Sequence, residues 1–348
     1  MNNTPLLIFI TSFIVSVVAV PSIIKVANEK NLFDRPSEKR KIHTTSIPNL
    51  GGVAIFLGFY FSILMFRVLC ESMELSALSA ASVLLFFVAL KDDLISTKPI
   101  SRLLYQFLIS LIIVAVGQIY FTHMPLAFTD HILAQLINIG VSLVFIVAMI
   151  NAMNFIDGVD GLSGSVGVIS LLLFALFFHL YGEDTYALIS LALAGSTLGF
   201  LLFNWNPAKI FMGDIGSMML GVFLAVFAIK LSNMEPLRLG FLPLKNPMTI
   251  AMALIIIPLM DMTTVVILRL ADKKSPFQAD KRHTHHRLLA LGFNQKKVCS
   301  ILVLFNVLIV VSAIFLGYAV QGFLSMCVIV LLAILFETAL YMVAKKRE

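Results

Sequence analysis

Four polar stretches interrupt a chain that is otherwise apolar, and each carries groups able to bind or move charge. Lys91, Asp92 and Asp93 form the first, and Asn151, Asn154, Asp157 and Asp160, within NAMNFIDGVDGL (151–162), the second. NWNPAKIFMGDIGS (204–217) adds Asn204, Asn206, Lys209 and Asp214, and DKRHTHHRLL (280–289) adds His283, His285 and His286. Five aspartates aimed at one place repel each other unless a cation sits among them. Oxygen-only ligands suit Mg2+, which takes one or two carboxylates together with substrate phosphates. Lys41, His43, Lys91, Arg282 and the three histidines can neutralise phosphate oxygens. Acids, a divalent cation and bases together point to phosphoryl transfer, which depends on positioning and charge stabilisation. Asp157 and Asp160, three residues apart, are expected to share one side of a helical turn. Gly158 and Gly161 beside them allow close backbone approach or a break in the helix. Gly216 and Ser217, just after Asp214, open a helix whose N-terminal amides favour anions.

The elements that must position these groups are membrane spans. Of 348 residues 59% are apolar and only 13% charged, against about 25% charged in a soluble domain. A secreted scaffold, a disordered tail protein and an ordinary cytosolic enzyme are thereby excluded. The expected fold is all-α, a polytopic integral membrane protein of about eleven transmembrane helices. Spans are placed near 5–27, 51–69, 74–90, 101–121, 132–150, 161–181, 185–203, 215–234, 247–269, 297–318 and 322–344. The alternation of an outer-membrane barrel is missing, which leaves helices as the spanning solution.

Charge sets the orientation. The loops 28–50, 91–100, 151–160, 204–214 and 270–296, with the C-terminal tail and span edges, hold 20 basic and 11 acidic residues, a net +9. The opposite face holds 3 basic and 6 acidic residues, a net −3. By the positive-inside rule the N-terminus is outside and the C-terminus cytoplasmic. The basic balance is thus a topology signal, and no nucleic-acid partner is implied. All four polar clusters fall on the cytoplasmic side. Singly, each admits a plainer reading: a solvated loop end at 91–93, a capped turn at DGVDGL, interface anchors at Lys209 and Phe211, a surface loop or zinc site at the histidines. Their occurrence together on one face favours a single site. Asp261 and Glu337 lie inside spans, where an ionisable group implies function or a buried partner.

Five motifs carry a resemblance: RKIHTTSIPNLGG (40–52), KDD (91–93), NAMNFIDGVDGL, NPAKIFMGDIGS (206–217) and HTHH (283–286). In these the chain resembles the polyprenyl-phosphate N-acetylhexosamine-1-phosphate transferases of the glycosyltransferase 4 type. These are integral membrane enzymes that begin bacterial cell-surface glycan synthesis. The resemblance implies one transferase domain over residues 1–348, in the bacterial inner membrane, with its site on the cytoplasmic face. It implies transfer of a sugar 1-phosphate from a UDP-sugar to undecaprenyl phosphate, with release of UMP. Mg2+ is the implied cofactor, with Mn2+ as substitute; the implied partners are both substrates and the bilayer, and a homodimer is compatible.

Carried over by motif, Asp92 serves the lipid phosphate as proton acceptor or by positioning it, with Asp93 beside it. Asp214 is the main metal ligand, and Asp157 and Asp160 support the metal or the nucleotide. Asn154 and Phe211 match uridine-holding positions, Phe211 by stacking. Lys41 and His43 match a basic loop near the phosphates, with Lys91, Ser217 and Arg282 as further substrate contacts. His283, His285 and His286 match the histidine loop over the diphosphate. Three consecutive histidines mark the wall-peptide branch. HTHHRLL instead resembles the branch using UDP-GlcNAc for O-antigen, enterobacterial-type or teichoic-acid linkage glycans. A phospho-MurNAc-pentapeptide transferase, or a sibling using another UDP-sugar, is the runner-up. A secondary transporter would place its carboxylates near the midplane within paired repeats, whereas here they crowd one face's loops. A zinc metallohydrolase built on the histidines would require Zn2+.

Overall fold

The computed structural model describes residues 3–32, 47–68, 72–95, 97–122, 131–239, 242–275, 280, 282–320 and 322–345. Its helices are α1 (Thr4–Glu29), α2 (Gly51–Met65), α3 (Met73–Leu94), α4 (Pro99–Leu111, continued by a π-helical turn over Ile112–Val116), α5 (His131–Ile156), α6 (Leu162–Leu180), α7 (Asp184–Asn204), α8 (Gly213–Ser232), α9 (Pro247–Leu254), α10 (Ile256–Ala271), α11 (Thr284–Ala290), α12 (Gln295–Ala319) and α13 (Phe323–Lys345). Among the described residues a single antiparallel pair, β1 (Leu237–Leu239) with β2 (Leu242–Leu244), interrupts the helices with Leu237 opposite Leu244. Among the described residues nine helices are long and apolar enough to cross a bilayer, and α9 with α10 makes a tenth, bent by 70°. The chain is a multi-pass membrane protein.

The expected span at 51–69 is shorter than foreseen. α2 has 15 residues, a length of about 22 Å, less than a hydrocarbon core of about 30 Å. The third and fifth spans run longer than expected, so Lys91, Asp92 and Asp93 lie in the last turns of α3, and Asn151 and Asn154 in those of α5. Helical backbone continues there because it satisfies its own polar groups as it leaves the apolar layer.

α8 is the axis of the bundle, buried along almost its whole length. Phe59 of α2, Phe174 and Phe178 of α6 and Phe223 and Phe227 of α8 are all fully buried. Their rings meet at centroid distances of 4.9 Å (Phe59–Phe223), 5.8 Å (Phe174–Phe227) and 5.6 Å (Phe178–Phe227). Such tilted and edge-on pairs hold α2 and α6 against the axis. The outer helices show leucine, isoleucine and valine outward, as at Leu6, Val18, Leu136, Val144, Leu324 and Leu335, a surface suited to lipid.

The bend between α9 and α10 has a local cause. Pro258 has no N–H to give the carbonyl of Leu254, and proline inside a helix breaks its ladder. The Leu254 carbonyl instead accepts the Ser170 hydroxyl at 2.6 Å, and that of Ala253 accepts the Asn306 amide at 3.1 Å. Backbone freed at membrane depth is thus satisfied by side chains of α6 and α12.

Candidate active site

The ends of α3 and α5 meet the starts of α4 and α8. Gly213 has φ +72°, and a Cβ there would lie 2.5 Å from the Asn49 carbonyl and 2.8 Å from Asp93 Oδ2. With no side chain at that turn, Asp93 reaches the opening amides of α8. It accepts from the N–H groups of Asp214 (2.8 Å) and Ile215 (3.2 Å), and from Asn49 Nδ2 (3.1 Å). Asp93 therefore caps α8 from another helix, which ties the register of α3 to that of α8.

Asp92 and Asp214 face one another. Asp92 Oδ1 accepts the Thr97 backbone N–H and hydroxyl, each at 2.7 Å. Its Oδ2 pairs with Arg102 Nη2, and the same nitrogen lies 3.0 Å from Asp214 Oδ2. The two carboxyl groups are also within hydrogen-bond reach of each other. Asn154 Nδ2 donates to Asp214 Oδ1 at 2.6 Å and lies 3.0 Å from the Ser217 hydroxyl. Leu85, Ala89, Ile109 and Met218 line a small recess whose polar end is Asp92 and Arg102. Sequence reasoning passed over Arg102, Thr97 and Asn49. A signal for Arg102 existed, because a cation in the first turn of a helix opposes the helix dipole.

Asp157 and Asp160 do not share a helical face, a correction to the sequence expectation. α5 ends at Ile156, and the chain turns through Asp157–Gly161, with Gly161 at φ +78°. Asp157 accepts the Ser163 hydroxyl and is near enough to Asp214 for their charges to interact. Burial pushes it up to about 7 against the Ser163 hydrogen bond, with the Asp214 and Asp160 charges adding to the rise. Asp160 turns to the 204–211 segment instead, accepting Asn206 Nδ2 and the Ala208 N–H, each at 3.0 Å. Asn204 accepts the Gly161 N–H at 2.9 Å and donates to the Ile210 carbonyl at 2.8 Å. This segment also pairs with the stretch before α2: the Phe211 N–H donates to the Pro48 carbonyl (2.8 Å) and the Gly51 N–H to that of Phe211 (2.9 Å). Phe211 is half-buried at this junction.

The histidine segment reaches the same end of the bundle. The rings of His283 and His285 stack at 5.5 Å, and those of His285 and His286 lie 4.3 Å apart. A Cβ on Gly158 would meet His285 Nε2 at 2.8 Å, so the ring rests on the turn that carries Asp157. Burial pushes His285 down to about 3, although the Asp261 charge acts the other way. His283 Nδ1 lies 2.7 Å from Asp261 Oδ2. Arg282, expected to meet phosphate, is engaged by Asp280 at 2.7 Å and Asp272 at 2.8 Å. Burial alone would raise Asp280, but its hydrogen bonds and proximity to Arg282 hold it down at about 2. Lys91 is exposed on the last turns of α3, and Lys41 and His43 lie outside the described residues. Among the described residues no three His, Cys, Asp or Glu side chains are grouped to hold a metal by themselves. The two carboxylates that face one another at this end are Asp92 and Asp214.

Comparison with known proteins identifies the family of the chain. The model of glycosyl transferase family 4 matches residues 75–232, from α3 through α8. A Bacillus subtilis protein named "Probable undecaprenyl-phosphate N-acetylglucosaminyl 1-phosphate transferase" is 30% identical over 332 residues, 94% of this chain and 89% of its own length. The chain belongs to glycosyl transferase family 4. A family relative from Mycobacterium tuberculosis (strain H37Rv), the decaprenyl-phosphate N-acetylglucosaminephosphotransferase, is 30% identical over 320 residues, 86% of this chain and 79% of its own. The undecaprenyl-phosphate alpha-N-acetylglucosaminyl 1-phosphate transferase of Escherichia coli K12 is 27% identical over 280 residues, 78% and 73% of the two chains. The resemblance read from the five motifs is therefore a family membership that covers nearly the whole length.

Proposed function

We propose that the protein transfers N-acetylglucosamine 1-phosphate from UDP-GlcNAc to undecaprenyl phosphate, as the first membrane step of a cell-surface glycan. The observation that carries the reading is the meeting of Asp92, Arg102 and Asp214 at the polar end of an apolar recess, in a chain whose relatives are named for this transfer. An oxygen of the lipid phosphate attacks the β-phosphorus of the donor. A new P–O bond forms, the bond from that phosphorus to the bridging oxygen breaks, and UMP leaves with the electron pair. A phosphate monoester has a second pKa of about 6, so the attacking oxygen is largely anionic at neutral pH. Asp92 then has the task of orienting the head group with Thr97 and Arg102, more than of removing a proton.

The donor set fits Mg2+: two carboxylates within reach of each other, in a place otherwise balanced by one guanidinium, call for more positive charge. Asp214 would hold the ion with Asp92 or Asp157 beside it, Mn2+ serving as substitute, and the bound ion would neutralise the diphosphate. Asn154 holds Asp214 in orientation, and Asp93 fixes the helix that carries it. Asp160 keeps Phe211 in register for the uridine by anchoring the 204–211 segment. The histidines lie over the diphosphate. The charge asymmetry supports a reading with this end in the cytoplasm and the N-terminus outside, in a bacterial inner-membrane protein whose whole chain acts as one domain.

The test is direct. Purified protein in detergent is incubated with undecaprenyl phosphate, Mg2+ and a panel of UDP-sugars, and UMP and lipid product are measured. UDP-GlcNAc is expected to give the highest UMP yield; no UMP from any donor would sink the reading.

A further inference from the structure

Two carboxylates within the spanning helices take no part in the chemistry above, Asp261 of α10 and Glu337 of α13. They are 1% and 4% exposed, and acids at such a depth are costly unless partnered. Both find their partners in one short segment. Asp261 Oδ1 accepts the Thr284 N–H at 2.6 Å, while Oδ2 lies 2.7 Å from His283 Nδ1. Glu337 Oε1 accepts the Thr284 hydroxyl, and Oε2 pairs with Arg287 Nη1 at 2.7 Å. Two helices thus grip residues 283–287 from the membrane side. The far side of the segment meets the site, with the His283 ring 5.6 Å from that of Phe155 and His285 against Gly158.

Asp261 already accepts a backbone N–H, and an ionised carboxylate can only accept, so the proton between it and His283 belongs to Nδ1. One ring nitrogen is then committed, and Nε2 alone is left for a ligand. Partners of this kind, behind the groups that touch a ligand, fix ring orientation and proton placement.

We propose that Asp261 and Glu337 are positioning residues for the transfer: Asp261 locks His283 with its proton on Nδ1, so that Nε2 is an acceptor for a hydroxyl of the donor, and Glu337 holds Thr284 and Arg287 so that the histidines stay on the turn carrying Asp157. This rests on the transferase reading, and its experiment separates the two.

Asp261→Asn keeps the volume and an acceptor for the Thr284 N–H, but turns an NH2 toward His283. The ring must then accept at Nδ1 and carry its proton on Nε2. Nitrogen NMR of 15N-histidine-labelled protein in detergent is expected to show one ring change tautomer. In the UMP-release assay kcat falls about 10- to 100-fold, with a smaller change in KM for UDP-GlcNAc. Thr284→Val, which removes only the hydroxyl held by Glu337, lowers kcat without moving the His283 tautomer, and serves where Asp261→Asn fails to fold. An unchanged tautomer in Asp261→Asn, or normal kcat in both variants, would overturn the clamp while leaving the transferase reading intact. A wild-type protein that releases no UMP would instead count against the transferase reading, with the NMR result still deciding the proton placement.

Discussion

Gly52→Ala probes how closely the site depends on helix contact. The methyl group would lie 2.2 Å from the backbone nitrogen of Gly216, 2.7 Å from Ile215 Cβ and 2.8 Å from Gly216 Cα, whereas ordinary contact begins near 3.4 Å. Two of these atoms are backbone, so no rotamer change relieves the clash, and in a close-packed interior α2 and α8 must part by about 1 Å. That movement stretches the hydrogen bonds from the Gly52 N–H to the Met212 carbonyl (2.8 Å) and from the Gly51 N–H to that of Phe211 (2.9 Å). Overpacking of this kind costs about 1–3 kcal/mol. It also moves Asp214, in the first turn of α8, relative to Asp92 on α3, and a misplacement of about 1 Å costs on the order of 100-fold in turnover. UMP release and thermal unfolding are measured side by side. Gly140→Ala is the control, because a Cβ there meets nothing within 4 Å; it keeps full activity and gains up to about 1 kcal/mol of helix propensity. Wild-type turnover and stability in Gly52→Ala would refute the coupling of the α2–α8 contact to the site.

Other variants test other links. Asp93→Asn weakens the cap on α8, costing about 1–2 kcal/mol; it lowers the unfolding temperature while the Mg2+ concentration for half-maximal activity changes far less than in Asp214→Asn, and equal shifts in the two would make Asp93 a metal ligand. Arg102→Met removes the cation shared by Asp92 and Asp214; the stabilisation by Mg2+ alone is expected to grow, read as a larger thermal shift, while activity falls. A smaller shift would count against a cation site between those acids. His285 is held neutral with its pKa down to about 3, so the unfolded chain takes up the proton first as pH falls below about 6.5. Its contribution is present above pH 6.5 and is lost as pH falls toward 3, about 1.4 kcal/mol of it by pH 5.5. His285→Gln therefore loses less stability than wild type between pH 7.5 and 5.5; an identical loss would contradict the burial of a neutral ring.

The spans are legible in the sequence because an apolar run near 20 residues has one stable answer in a bilayer. The depth of Asp261 likewise demanded a partner, and His283 and Thr284 are that partner. What stays hidden depends on contacts between distant segments. Asp92 and Asp93 are adjacent in sequence, yet one faces Arg102 and Asp214 while the other caps α8. Asp157 and Asp160 look like a helical pair until Gly161 turns the chain and the Ala208 amide claims the second acid. Pro258 hints at the α9–α10 bend, but the Ser170 and Asn306 side chains that make it tolerable come from helices 84 and 53 positions away from the carbonyls they serve, a pairing no local pattern announces.

The decisive measurement follows one phosphorus atom. UDP-GlcNAc labelled with 32P in its β-phosphate is incubated with the purified protein, undecaprenyl phosphate and Mg2+, and the products are separated. Transfer of a sugar 1-phosphate puts the label in the lipid and leaves the released UMP unlabelled. Label in released UDP, with an unlabelled glycolipid, would mean that the sugar moves without its phosphate and would contradict the proposed reaction.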